Sequence, residues 1–301
     1  MDMLVRSLPL LLLSCGASNA PAPAPAVHRV PYDLDHPAAV IRLPNALIEI
    51  SALTDVDSNT VACVQDEAAT MYRISLLTGQ VVDSLVFGGP ADMEGLTRVD
   101  GDYFALRSDG LIYRIGFHAQ EATGWTVLDT FRLEVPNRNI EGLGYDERGQ
   151  RVLVSPKDFT KGSKEGRDER VLYAFAPDDP AHRTQAVLRL SIEELIVQAQ
   201  ASGIAVPERK TGNGRVVPGL KLRYSSVAVH PFTDHYYLLS AADRTLLVVD
   251  REGKLVALEQ LDEHLLPKPE GITFLAGGDL VLSSEGKGSA PVIVRYAYRK
   301  D

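Results

Sequence analysis

Asn139-Ile140-Glu141-Gly142-Leu143 is the stretch on which the fold turns, because the chain repeats it. The same acid–glycine–aliphatic step returns in Asp92-Met93-Glu94-Gly95-Leu96 and Lys268-Pro269-Glu270-Gly271-Ile272. Looser copies are Glu49-Ile50-Ser51-Ala52-Leu53 and Ser225-Ser226-Val227-Ala228-Val229, read with Ser51 and Ser226 in the place of the acid. After each comes a turn and a second apolar run that closes on an acid: Glu67, Asp109, Asp158, Asp243 and Glu285. The copies start at 51, 94, 141, 226 and 270, so one gap is about twice the others. A period of roughly 40 to 45 residues is that of a four-stranded propeller blade.

The rest of each repeat supports this reading. Third strands rich in β-branched and aromatic residues follow, such as Leu111-Ile112-Tyr113-Arg114-Ile115 and Val171-Leu172-Tyr173-Ala174-Phe175. Fourth strands appear in Gln80–Leu85 and Lys254–Leu258. The last repeat stops near Tyr298 without a fourth strand, and Ala39–Leu43 ahead of the first repeat can supply it. The expectation is an all-β, five-bladed β-propeller over residues 38–301, closed by an N-terminal strand that leaves no open edge. The long gap calls for one blade plus a helical insertion at about 183–222; a sixth, degenerate blade there is the alternative count. Ser191 caps the expected helix and Glu194 completes a capping box, with the end near Gly203.

Propeller geometry decides where the acids go. Two short antiparallel strands separate the motif residue from the closing acid, so both lie at one end of the blade. Glu94, Glu141 and Glu270 then converge on one mouth of the channel with Ser51 and Ser226, inside a wider ring of Glu67, Asp109, Asp158, Asp243 and Glu285. Clustered carboxylates must take up protons or be neutralised by a cation. Hard oxygen ligands suit calcium, and the seven histidines form no repeat-equivalent set for zinc. The other reading makes the three glutamates fasteners that accept hydrogen bonds from amides of the next blade. Arg107 and Lys157 stand just before two of the closing acids, as partners for them or as a grip on an anionic ligand.

A formal net charge of −9 excludes the basic footprint of a nucleic-acid binder. Of the two cysteines, Cys63 sits in an apolar strand and Cys15 in a leader, so no disulfide framework is expected. Residues 1–14 read as a signal peptide: Arg6 precedes an apolar run, Leu8–Leu13, too short to span a bilayer. Leu12-Leu13-Ser14-Cys15 resembles a bacterial lipobox, which implies lipidation of Cys15; ordinary secretion is the alternative. Residues 15–37 then form a Pro/Ala-rich linker.

The five motif copies together resemble the SdiA-regulated (YjiK-like) family of bacterial propellers, distantly related to NHL-repeat proteins. The resemblance covers roughly Leu43 to Tyr298. It implies a five-bladed ring with bound calcium linked to Glu94, Glu141 and Glu270. No nucleophile elbow, phosphate loop or histidine-rich metal motif is present in the sequence. The expected function is therefore an envelope-anchored, periplasm-facing calcium-binding scaffold. Its unknown protein or small-molecule ligand would bind at the propeller face, and the membrane would be met through the lipid anchor only. A calcium-dependent esterase, lactonase or phosphoesterase is the alternative.

Overall fold

The computed structural model describes residues 30–119, 124–137, 139–157, 159 and 167–300. The signal peptide, Cys15, most of the linker and Asp158 lie outside the described residues. Five four-stranded antiparallel sheets form the blades. From the axis outward, the first blade runs Ile50–Asp57, Thr60–Gln65, Ala68–Ser75 and Val81–Pro90. The second runs Met93–Val99, Asp102–Arg107, Leu111–Phe117 and Trp125–Arg132. The third is Ile140–Asp146, Arg151–Pro156, Glu169–Phe175 and Gln185–Ser191, and the fourth is Tyr224–Val229, Tyr236–Ser240, Thr245–Val249 and Leu255–Gln260. The fifth takes Pro269–Phe274, Leu280–Ser284 and Val292–Tyr296 from the end of the chain and Ala39–Arg42 from its beginning. Ala39 pairs with Arg295 and Arg42 with Val292, which closes the ring as the sequence led one to expect.

Burial explains the strand compositions. Tyr236–Ser240 and Thr245–Val249 are buried at every residue, since neighbouring blades cover both of their faces. Strands buried on both faces read as continuous apolar runs rather than alternating ones. The outer strand Val81–Pro90 has no fully buried residue. Each apolar core lies between two blades, and the core joining Leu275, Val281 and Ile293 to Leu53, Val61 and Cys63 seals the fifth blade to the first. Cys63 is fully buried, and burial raises its thiol pKa well above the ordinary value.

Two boundaries differ from expectation. Gln185–Ser191, placed in the insertion, is the outer strand of the third blade, with Leu172 opposite Leu188. Its alternating polar residues face solvent, which made it look unlike a blade strand. The insertion proper is the helix Ile192–Ala201 and a hairpin, Glu208–Lys210 with Val216–Pro218. The Ser191 hydroxyl accepts from the Glu194 amide at 3.1 Å, and Asp168 accepts from the Glu193 amide at 2.9 Å. Ile192, Leu195 and Ala199 pack into the core of the third and fourth blades, and the Gln198 side chain accepts from the Leu255 amide at 2.9 Å. The helix thus covers the edge strand of the fourth blade instead of building a sixth. The last part of the expected linker is also structural. Tyr32 is buried among His230, Tyr237, Phe274 and Tyr298, and its hydroxyl donates to the Gly278 carbonyl at 2.7 Å. Among the described residues no helix is long and apolar enough to cross a membrane.

Candidate functional site: an acidic mouth built by five bulges

All five inner strands begin with the same irregularity. Ile50 faces Gln65, yet Ala52 faces Val64; the same slip separates Met93 from Gly95, Ile140 from Gly142, Tyr224 from Ser226 and Pro269 from Gly271. One residue per strand is left out of the ladder: Ser51, Glu94, Glu141, Ser225 and Glu270. A bulge re-aims the side chain it carries. The ring expected from the motif therefore exists, with one correction: its fourth member is Ser225. Ser226 is paired opposite Leu239 and buried between blades. The motif glycines follow from the crowding there. A Cβ on Gly142 would lie 2.8 Å from the Ser226 Cα, and one on Gly271 would lie 2.4 Å from the Ser283 Oγ.

Serines and glutamates in this ring do different work. Ser51 donates to the Met93 carbonyl of the next blade at 2.6 Å, and Ser225 donates to the Pro269 carbonyl of the next blade at 2.9 Å. They are the fasteners. The glutamates pair with lysines. Lys157 Nζ lies 2.6 Å from Glu141 Oε1, whose side chain is only 3% exposed. Lys268 Nζ lies 3.0 Å from Glu270 Oε1 and also bonds Glu285 Oε1. Glu94 has no hydrogen bond or ion-pair partner among the described residues.

The three glutamates stand at equivalent bulged positions of the ring, and their charges act on one another. Burial, then Glu141, Asp92 and Glu270, pushes the Glu94 pKa up to about 9. Burial pushes Glu270 up to about 7 against the pull of Lys268, and it raises Glu141 against Lys157. Lys268 is held above the ordinary lysine range: burial opposes its charge, but Glu270 and Glu285 outweigh burial.

The wider ring is offset from expectation. The residues that follow the paired positions Gln65, Arg107, Pro156, Ser240 and Ser284 are Asp66, Ser108, Lys157, Ala241 and Glu285. Of the expected acids among the described residues, only Glu285 holds its place. Glu67 is exposed and its neighbour Asp66 joins the mouth. Burial and the adjacent Glu49 push Asp66 up to about 7, and its Oδ1 is buried without a hydrogen-bond partner. Asp109 is gripped by Arg107 through two bonds of 2.8 and 2.7 Å, which holds it well below the usual carboxylate range. Arg107 therefore serves that pair. Asp243 accepts from the Leu222 amide at 2.8 Å and from the Ser240 hydroxyl at 3.1 Å, a loop-fixing role. Lys268, which the motif reading passed over, is the residue that joins the two rings.

Of the three carboxylates expected to hold calcium, Glu141 and Glu270 are each paired with a lysine and Glu94 is not. Among the described residues no three His, Cys, Asp or Glu side chains are grouped to hold a metal.

The raised carboxyls have a consequence for stability. An acid whose folded pKa exceeds its unfolded value contributes stability that is fully present below the unfolded value, near 4, and lost as pH rises through the folded one. Glu270 and Asp66 near 7 and Glu94 near 9 set the window. The melting temperature is expected to fall from pH 5 to pH 9 by on the order of 5 °C. In Glu94→Gln the decline above pH 7 should flatten, as read by scanning calorimetry.

No protein-family model and no curated protein sequence matches the chain. Solved structures match in fold. Glutaminyl cyclase from Myxococcus xanthus is 14% identical, with 87% of this chain and 95% of that one covered at a TM-score of 0.57. A streptogramin B lyase is 10% identical over 86% of this chain and 97% of that one, TM-score 0.49. The PQQ-bound aldose sugar dehydrogenase from Streptomyces coelicolor is 13% identical over 87% and 99%, TM-score 0.48. At 14% identity the likeness to the glutaminyl cyclase bears on the fold alone.

Proposed function

We propose that this chain is a binding protein of the cell envelope whose acidic propeller mouth takes an organic cation, an ammonium or guanidinium group presented by a peptide. One observation carries the reading. Glu94 feels the charges of Glu141, Asp92 and Glu270 and has no bonded cation among the described residues, only the pull of Lys157, which is bonded to Glu141, while its two equivalents hold Lys157 and Lys268 directly. The mouth thus accommodates ammonium groups twice from its own chain and leaves a third carboxyl position unmatched. A ligand ammonium there would form a charge-assisted hydrogen bond and draw Glu94 back to its ionised form. A resident calcium, which the SdiA-regulated resemblance implies, has weaker support, because it would have to displace both lysines. That family assignment rests on the motif copies, and envelope anchoring rests on Leu12-Leu13-Ser14-Cys15.

The test is fluorescence anisotropy with a labelled tri-lysine peptide and, in parallel, calorimetric titration with calcium. Saturable peptide binding is expected, weakened about tenfold, or 1.4 kcal/mol, in Glu94→Gln, and weakened by salt. Peptide affinity that is unchanged in the variant would sink the reading. Calcium binding that releases the peptide would restore the metal in its place.

A further inference from the structure

The inner strands that start in the acidic mouth end at a cavity of about 680 Å³, within the usual range for small-molecule sites. Its floor is a ring of five aliphatic residues, Leu53, Leu96, Leu143, Val227 and Ile272, each two positions after a bulged residue. This layer stands between the cavity and the carboxylates, so the two ends of the channel are chemically separate.

Polar groups line the wall on several blades, and Arg148 and Asp234 are already paired with each other at 2.6 Å. Asp55 of the first blade and Arg98 of the second both line the cavity. Their charges act on each other, yet they form no ion pair among the described residues. Burial holds the Asp55 carboxyl above the usual range, against Arg98, and its Oδ1 receives only a long bond, 3.4 Å, from the Thr273 hydroxyl. Arg98 spends Nη1 on the Val56 carbonyl at 2.9 Å, while its Nε is buried without a partner. Across the cavity His230 is 1% exposed, and its Nδ1 accepts from the Phe232 and Thr233 amides, both at 3.1 Å. The proton therefore sits on Nε2, which also lacks a partner. Buried polar groups left unpaired cost free energy that a matching ligand recovers.

We propose that this cavity binds a zwitterion of amino-acid or dipeptide size with an apolar side chain. The side chain would rest on the aliphatic floor, the ammonium would face Asp55, and the carboxylate would face Arg98. The site is independent of the acidic mouth and does not rest on the reading given for it.

The test is isothermal titration of the wild-type protein with L-leucine and with Leu-Leu, alongside leucinamide and N-acetyl-leucine. Saturable binding of at least one zwitterion is expected, at least tenfold weaker for both capped forms and tenfold weaker for Asp55→Asn. Should that variant fold poorly, the capped ligands on the wild-type protein decide alone. No saturation by either zwitterion up to about 1 mM, or a capped form binding as tightly as leucine, overturns the proposal.

Discussion

Asp146→Asn is expected to lower the unfolding free energy by about 3–5 kcal/mol, the usual cost of removing one partner from a buried ion pair. Asp146 has no exposed surface and ends the inner strand of the third blade. It accepts from Arg251 Nη1 at 2.5 Å and Nη2 at 2.8 Å, from Arg151 Nε at 2.9 Å and from the Gly149 amide at 3.0 Å. Arg251 also stacks over Tyr236, with 4.8 Å from its guanidinium carbon to the ring centroid, so the carboxylate ties the third blade to the fourth. Burial alone would raise the Asp146 pKa, but Arg251 and its other donors hold it below the ordinary value. An acid depressed in this way contributes stability that is present above its unfolded pKa and lost as pH falls through the folded one. Neutralising the side chain leaves two half-buried guanidinium groups facing an amide. Urea denaturation at pH 7 reads the loss. A change below about 1 kcal/mol would mean that the network is no more than a solvated surface pair.

Lys268→Met is expected to cost about 3 kcal/mol at pH 8, the low end of the same range, because the ammonium is partly exposed. Its partners are Glu270 and Glu285, with side chains 7% and 12% exposed. Without the lysine, two nearly buried carboxylates face each other and Glu94. At pH 5 the penalty should shrink, because Glu270 takes up a proton readily, its pKa being already near 7 with the lysine present. Paired urea titrations at the two pH values give the comparison. An equal loss at both would show that Lys268 acts through packing of its stem rather than through charge.

The blade count, the closing strand and Ser51, Glu94, Glu141, Glu270 and Glu285 of the mouth were legible because propeller repeats translate directly into rings. Glu94, Glu141 and Glu270 occupy the same step of a recurring motif, and rotational repetition does the rest. What was lost is register. A bulge adds a residue to one strand without altering the apolar pattern, so spacing cannot tell Ser225 from Ser226, or Asp66 from Glu67. Lys268 was hidden for a related reason. It precedes the motif at a position held by Glu49, Asp92 and Asn139 in other repeats, and only the fold shows that this position reaches the mouth. The signal was present as charge flanking each copy. The cavity at the far end gave a weaker signal: Asp55 and Arg98 share the step four residues after a bulge, but they differ in charge and the other blades place Tyr145, Val229 and Phe274 there. Gln185–Ser191 was missed since an outer strand with one wet face does not resemble the apolar runs nearer the axis.

The convergence of the bulged glutamates is tested most directly by a carbon-detected NMR pH titration of the Glu94 side-chain carboxyl, in the wild-type protein and in Glu141→Gln. A midpoint near 9 is expected in the wild type, with a clear fall in the variant as the neighbouring charge disappears. A midpoint near 4.5, the same in both proteins, would mean that Glu94 stands alone in solvent and that the five bulges do not build a shared site.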